Sequence, residues 1–253
     1  MLNIRNFTSN VRSFGLFLAT LTMVVAILSM PALAAGPSVK GDRTPSIKGR
    51  VATPINLAIL IQDDLVSHVS NELGVTREFI QSLPEGSQVM VGYITSGSLQ
   101  VRQPFTADLK KAARSLRIIV ASSAGSPFNP YVETLEALRK FDAQSKNRNV
   151  VLLISDGLDT SRGFDATVLH SVDMERAIAE AKRRNVSIYS FYVPSVGLTR
   201  RNFLAASYGL GSLDRVAHET GGQTFSNGTT DFVTFNPFFE RLTRALNQRE
   251  YAE

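Results

Sequence analysis

The chain has 253 residues, 43% of them hydrophobic and 19% charged, with no Cys and no Trp. That composition suits one well-buried domain of roughly 200 residues. It excludes disulfides, thiolate metal sites, a cysteine nucleophile and lipid attached through Cys. The formal charge of +5 is a mild excess, without the dense basic stripe of a nucleic-acid binder.

Arg5 and Arg12 are the only charged residues before Lys40. Phe14 to Met30 is apolar, Pro31 breaks the helix, and Ala32-Leu33-Ala34 has the small-x-small form of a cleavage site. Together these predict a secretory signal peptide over residues 1–34. No twin-arginine pair precedes the run, which points to a general secretion route. The alternative is an uncleaved anchor, because a run of about 17 residues stands near the lower limit for a span. Cleavage would leave 219 residues, with 25 basic against 22 acidic side chains, a charge of +3. Ala35 to Thr53 is rich in Gly, Pro, Ser and basic residues and has no apolar period, so it reads as a flexible linker. Lys40, Arg43, Lys48 and Arg50 then lie on a solvated tether, or touch anionic lipid or cell-wall polymer.

The remaining stretch, 54–250, is expected to form one domain. Ile55 to Ile61 is a near-continuous apolar run and predicts a first strand, ending in Gln62-Asp63-Asp64. Val69, Leu73, Phe79, Ile80 and Leu83 fall at helical spacing, and Pro84 stops that helix. Gln88 to Ile94 predicts a second strand, and Leu99 to Phe105 an antiparallel edge strand. Helices are predicted at Ala107–Leu116, Tyr131–Phe141 and Met174–Arg184, with a small-residue loop at Ala121–Pro130. Val150 to Ile154 reads as a strand buried on both faces, and it stops at Ser155-Asp156-Gly157. Ser187 to Val193 is a further strand. Pro194 to Leu213 reads as a glycine-rich excursion, Leu213–Thr220 as a short helix, Gln223–Ser226 as a last short strand and Phe235–Asn247 as a closing helix. This order predicts an α/β fold of three layers, α/β/α, with a mostly parallel central sheet and one antiparallel edge strand. Ligands of such sheets bind beyond the carboxyl ends of the strands, where Asp156 stands. A plain Asp-Gly turn would give the same residues.

From Pro54 to about Arg249 the chain resembles the von Willebrand factor type A domain. The resemblance is carried by NLAILIQDDLVS before a helix, VVLLISDGLDT, the strand SIYSFYV, and LDRVAHETGGQTF before a final helix. FIQSLPEGSQVMVGYITSG and QPFTADLKKAARSLR resemble, more narrowly, the type A-related domains of exported bacterial, acidobacterial-type proteins. The resemblance implies a Rossmann-like fold and a partner-binding role. It also implies a metal-ion-dependent adhesion site: an Asp-x-Ser-x-Ser loop, a Thr and a further Asp that hold Mg²⁺ open to a partner's carboxylate. Carried over by residue, Asp63 takes the first Asp, Ser67 the second Ser, Ser126 (less plausibly Asn129) the Thr, and Asp156 the last Asp. Leu65 stands at the first Ser and cannot coordinate. Gln62 and Asp64 flank the site, and a register shifted by one puts Gln62 in the Asp role. Mg²⁺ demands near-ideal oxygen octahedra, so the broken position weighs against it. Adjacent carboxylates without a cation repel, which weighs for it. The metal-free alternative is an assembly scaffold with Asp63 and Asp64 capping the first helix.

An enzyme is not expected. No G-x-S-x-G, H-E-x-x-H, P-loop or G-x-G-x-x-G motif is present. A hydrolase would need Asp63, Asp156 and His68 to act together, and His170 and His218 are the only other His residues. Lys182-Arg183-Arg184 and Arg200-Arg201 lack interleaved aromatics, so no nucleic-acid partner is expected. A protein partner is expected, with the stretches Gly163–Ser171 and Gly197–Gly211 long enough to carry its surface. Asn185-Val186-Ser187 and Asn227-Gly228-Thr229 match the glycosylation pattern by chance.

Overall fold

The computed structural model describes residues 49–119, 128–164, 171–230 and 232–248. The expected signal peptide, most of the expected linker, and Ser126, Asp165 and His170 lie outside them. Six strands form one sheet in the order β3-β2-β1-β4-β5-β6. They are β1 (Ile55–Gln62), β2 (Gln88–Thr95), β3 (Ser98–Thr106), β4 (Arg148–Ser155), β5 (Val186–Tyr192) and β6 (Thr224–Phe225). Among the described strands only the β2–β3 pair is antiparallel. The chain goes from β1 to β2 on one side and returns to β4 on the other. The strand order therefore reverses at β1/β4, and the crevice beyond their carboxyl ends is the natural binding position.

β1 and β4 are apolar throughout because both of their faces are covered. Leu57, Ile59, Ile61, Val150, Leu152 and Ile154 join one core cluster, which includes Phe79 of α1 (Leu73–Ser82) and Phe239 of α7 (Asn236–Gln248). Ala58, Leu60, Val151 and Leu153 alternate into the other. That second cluster takes Tyr131 from α3 (Pro130–Leu138), Met174 from α4 (Val172–Arg183) and Leu213 from α6 (Phe203–Glu219). On the first face, Phe191 is ringed by Phe225, Phe235, Phe238 and Phe239 at centroid distances of 5.0–5.7 Å. Asp108 caps α2 (Leu109–Arg114) by accepting from Lys111 N, and Asn129 caps α3 by accepting from Tyr131 N and Val132 N.

Three expectations are corrected. The single helix expected after β1 begins as a 3-10 turn at Ser67–Glu72, and the α-helix starts only at Leu73. The Glu72 carboxylate meanwhile accepts from Phe235 N at 2.6 Å, in the lead-in to α7. The end of the expected flexible linker is tied down: Val51 is buried, Ala52 N donates to Asn247 Oδ1 at 2.9 Å, and Asn247 Nδ2 donates to Arg50 O at 2.9 Å. Most consequentially, the glycine-rich excursion is largely helix. A short α5 (Leu198–Arg201) leads into the 17-residue α6. Asn202 caps α6 by accepting from Leu204 N and Ala205 N.

Gly209 lies inside α6 for a steric reason. A Cβ there would sit 2.0 Å from Asp156 O, and one on Gly157 would sit 2.3 Å from Gly209 O. Gly157 also adopts φ +70°, a left-handed conformation that favours glycine. Helix and turn thus touch backbone to backbone. Gly211 has no neighbour within 4 Å of its notional Cβ. The two glycines should respond with opposite signs in urea unfolding. Gly209→Ala should destabilise by about 1–3 kcal/mol through overpacking. Gly211→Ala should stabilise by about 0.5–1 kcal/mol through helix propensity. Equal effects would refute the close approach.

Candidate functional site

The site lies where β1 and β4 end. Beyond Gln62 the chain turns through Asp63-Asp64 before the bridge at Leu65. Asp63 N donates to Ile94 O at 3.0 Å, and Leu65 forms an antiparallel bridge with Ser195. Val66 N donates to Pro194 O at 3.1 Å, and Val196 N to Asp64 O at 2.9 Å. The segment after β5 thereby clamps the segment after β1. The turn sends the two neighbouring carboxylates to different partners, Asp64 to Gln62 and Asp63 to Arg117.

The consequence is a divided set of carboxylates. Asp63 Oδ2 accepts from Arg117 Nη2 at 2.8 Å, and the Arg117 guanidinium lies 4.1 Å over the ring of Tyr93. Tyr93 in turn holds the Arg117 backbone, accepting from its N at 2.8 Å and donating to its O at 3.1 Å. The hydrogen bond to Asp63 raises the Arg117 pKa. Asp64 and Asp156 instead share one partner. Gln62 Nε2 donates to Asp64 Oδ1 at 2.7 Å and to Asp156 Oδ1 at 3.1 Å. The other end of that amide, Oε1, accepts from Ser155 Oγ at 2.5 Å and from Asp156 N at 3.3 Å. Asp156 is buried, and it also accepts from Leu158 N at 3.1 Å and from Thr199 Oγ1 at 3.1 Å. Thr199 accepts from Ser195 N at 2.8 Å, with the Ser195 hydroxyl 3.0 Å away. Tyr131 donates to Gly157 O at 2.5 Å and closes the turn from below.

No family model and no curated protein sequence matches the chain. Solved structures do. An aerotolerance-related membrane protein of Bacteroides fragilis aligns with TM-score 0.51 at 15% identity, over 77% of this chain and 99% of its own. BatB of Bacteroides thetaiotaomicron gives 0.52 at 14%, over 78% and 99%. The human COPII-coat protein Sec24c gives 0.50 at 11%, over 78% of this chain and 32% of its own. The fold is of the von Willebrand factor type A kind.

Measured against the adhesion site of that fold, the expected residues separate. Asp63 and Asp156 stand at adjoining strand ends, but the Asp63 side chain is engaged by Arg117. Ser67 is exposed at the start of the 3-10 turn, and Ser126 lies outside the described residues. Leu65 is fully buried in the core. The residues that do converge on Asp156 are Gln62, Asp64, Ser195 and Thr199. Gln62 and Asp64 were legible as flanking groups. Ser195 and Thr199 were not, because they arrive from a segment that reads as loop. Asn129 caps α3 and donates to Asp173 Oδ2 at 2.9 Å instead. This donor set does not fit Mg²⁺ as arranged. The atom between the two carboxylates is an amide nitrogen carrying two protons, whereas Mg²⁺ takes oxygen ligands.

Electrostatics agree with a proton-bearing rather than a fully charged pair. Burial first, and Asp156 second, push Asp64 up to about 7. Burial likewise raises Asp156. On α3, burial pushes Glu133 up to about 7. A carboxyl whose pKa rises on folding binds its proton more tightly in the native state. Its contribution is full below the ordinary value of 3.8 and is lost as pH rises toward about 7. Stability in urea should therefore fall as pH climbs from about 4 to about 7. Asp64→Asn should remove part of that slope and leave the part due to Glu133. An unchanged slope in Asp64→Asn would refute the assignment.

Proposed function

We propose that this chain is an exported, non-catalytic type A domain that binds a protein partner. The observation that carries the reading is an apolar surface beside the Asp156 edge. Phe203 is 76% exposed, Leu204 48% and Val172 58%. Leu204 lines a cleft of about 310 Å³ between α4 and α6 together with Met174, Tyr208 and Arg215, and Phe203 and Val172 are their near neighbours in sequence. Grouped exposed apolar side chains mark interaction sites, because leaving them in water forgoes the stabilisation that burial gives. Arg215 of α6 reaches Glu175 of α4 at 2.7 Å and is held within its own helix by Glu219 at 2.9 Å, which supports a preformed cleft.

A non-catalytic role is supported by the site itself. Asp156 is 3% exposed and fully committed to internal hydrogen bonds, so substrate cannot reach it. His68 and His218 are both exposed, away from the buried Asp156. Export rests on the leader at residues 1–34. It is in keeping with a fold neighbour described as a membrane protein. Among the described residues no helix is long and apolar enough to cross a membrane. The narrower kinship with exported acidobacterial-type proteins belongs to the same proposal and rests on the phrases quoted above.

A photo-crosslinking side chain at position 203, in cells that produce the protein, should give a discrete adduct that Leu204→Asp abolishes. The same group at Lys146, at the opposite edge of the sheet, should give none. No adduct from 203, or equal adducts from both positions, would overturn the surface. Mass spectrometry of the protein recovered from those cells should find Ala35 as the first residue. An intact residue 1–34 segment would replace the cleaved leader with an anchor.

A further inference from the structure

We propose that the Gln62 amide occupies the place a divalent cation takes in a metal-bearing type A site, so that this domain is a metal-independent form of the fold. Three carboxylates gather at the ends of β1 and β4, and each accepts a hydrogen bond from a protein side chain. Asp63 has the Arg117 guanidinium. Asp64 and Asp156 are joined through the two protons on Gln62 Nε2.

The orientation of that amide is dictated by its surroundings. Turned over, its oxygen would face two carboxylate oxygens, and its protons would face Asp156 N–H. As placed, both donors and both acceptor positions are used, counting Ser155 Oγ and Asp156 N on Oε1. A cation entering between Asp64 and Asp156 would have to break both Nε2 bonds and expel a satisfied buried amide. Leu65 reinforces the exclusion. It is fully buried at a position where a hydroxyl ligand would be needed, and it is pinned by its bridge to Ser195. Thr199 and Ser195 supply the remaining hydrogen bonds to the Asp156 side from the clamp after β5. The inference stands whether or not the apolar surface binds a partner, because its test reads the amide and the ion rather than capture.

The test compares the purified protein with Gln62→Glu and Asp156→Asn by thermal unfolding, in chelator and in about 10 mM Mg²⁺. The native protein should melt at the same temperature in both. Gln62→Glu places a third carboxylate between the other two, and in chelator it should melt at least about 4 °C lower, with Mg²⁺ restoring most of the loss. A rise of about 4 °C for the native protein in Mg²⁺ that Asp156→Asn lacks would overturn the proposal. So would a Gln62→Glu variant as stable as the native protein in chelator. Should Gln62→Glu not fold, the Gln62 side-chain amide resonance of the native protein decides. No change on adding Mg²⁺ supports the amide in the cation's place, and a saturable shift overturns it.

Discussion

A buried and a half-buried carboxylate set side by side at the end of a sheet must be neutralised by something, and here one amide joins them. Coulomb repulsion between buried like charges is severe at low dielectric. The pair persists because burial favours the protonated form of Asp64 and because Gln62 Nε2 gives each a hydrogen bond. The local architecture follows from that requirement. Gln62 must be the last residue of β1, on the same face as Ser155. The segment after β5 must come close enough for Thr199 to reach Asp156. The Asp156-Gly157 turn must be tight enough to aim the carboxylate back toward β1.

The turn is tight because helix α6 presses on it. Gly209 and Gly157 remove the two Cβ atoms that would otherwise keep backbone from backbone. With α6 seated there, its first turn projects Phe203 and Leu204 into solvent beside the same edge. The feature that closes the interior of the site thus also presents its apolar surroundings. A change at Gly209 would be felt at both, although it is far in sequence from Gln62 and carries no chemistry of its own.

The sheet was legible because its central strands have covered faces: the runs at Ile55 and Val150 hold apolar side chains in both alternating sets. The second half of α6 was legible as the helix expected at Leu213–Thr220, but its first half was not, since Gly209 and Gly211 are poor helix formers by propensity. Tertiary packing overrode that propensity, and the glycine that looked like a loop signal is the packing contact itself. Among the carboxylates, Asp63 suited the resemblance, yet the turn at Asp63-Asp64 sends it away from Gln62 and Asp64 to Arg117. That partner was not legible, because Arg117 comes from beyond α2 and is placed by Tyr93.

A metal-bearing adhesion site attracts a partner's carboxylate because the ion leaves a positive, open position. At this edge Arg117 is matched to Asp63, and the Gln62 amide is satisfied on all sides. Neither leaves an outward positive charge for an acidic group to complete. What the edge offers instead is apolar area at Phe203, Leu204 and Val172, with a cleft lined by Leu204. Hydrophobic burial is non-directional and only weakly sensitive to chelators. Binding through such a surface would gain its specificity from the shape of the α4/α6 cleft and the Arg215 bridge across it. On this view the polar interior of the site sets the backbone that displays the surface and makes no contact with the partner.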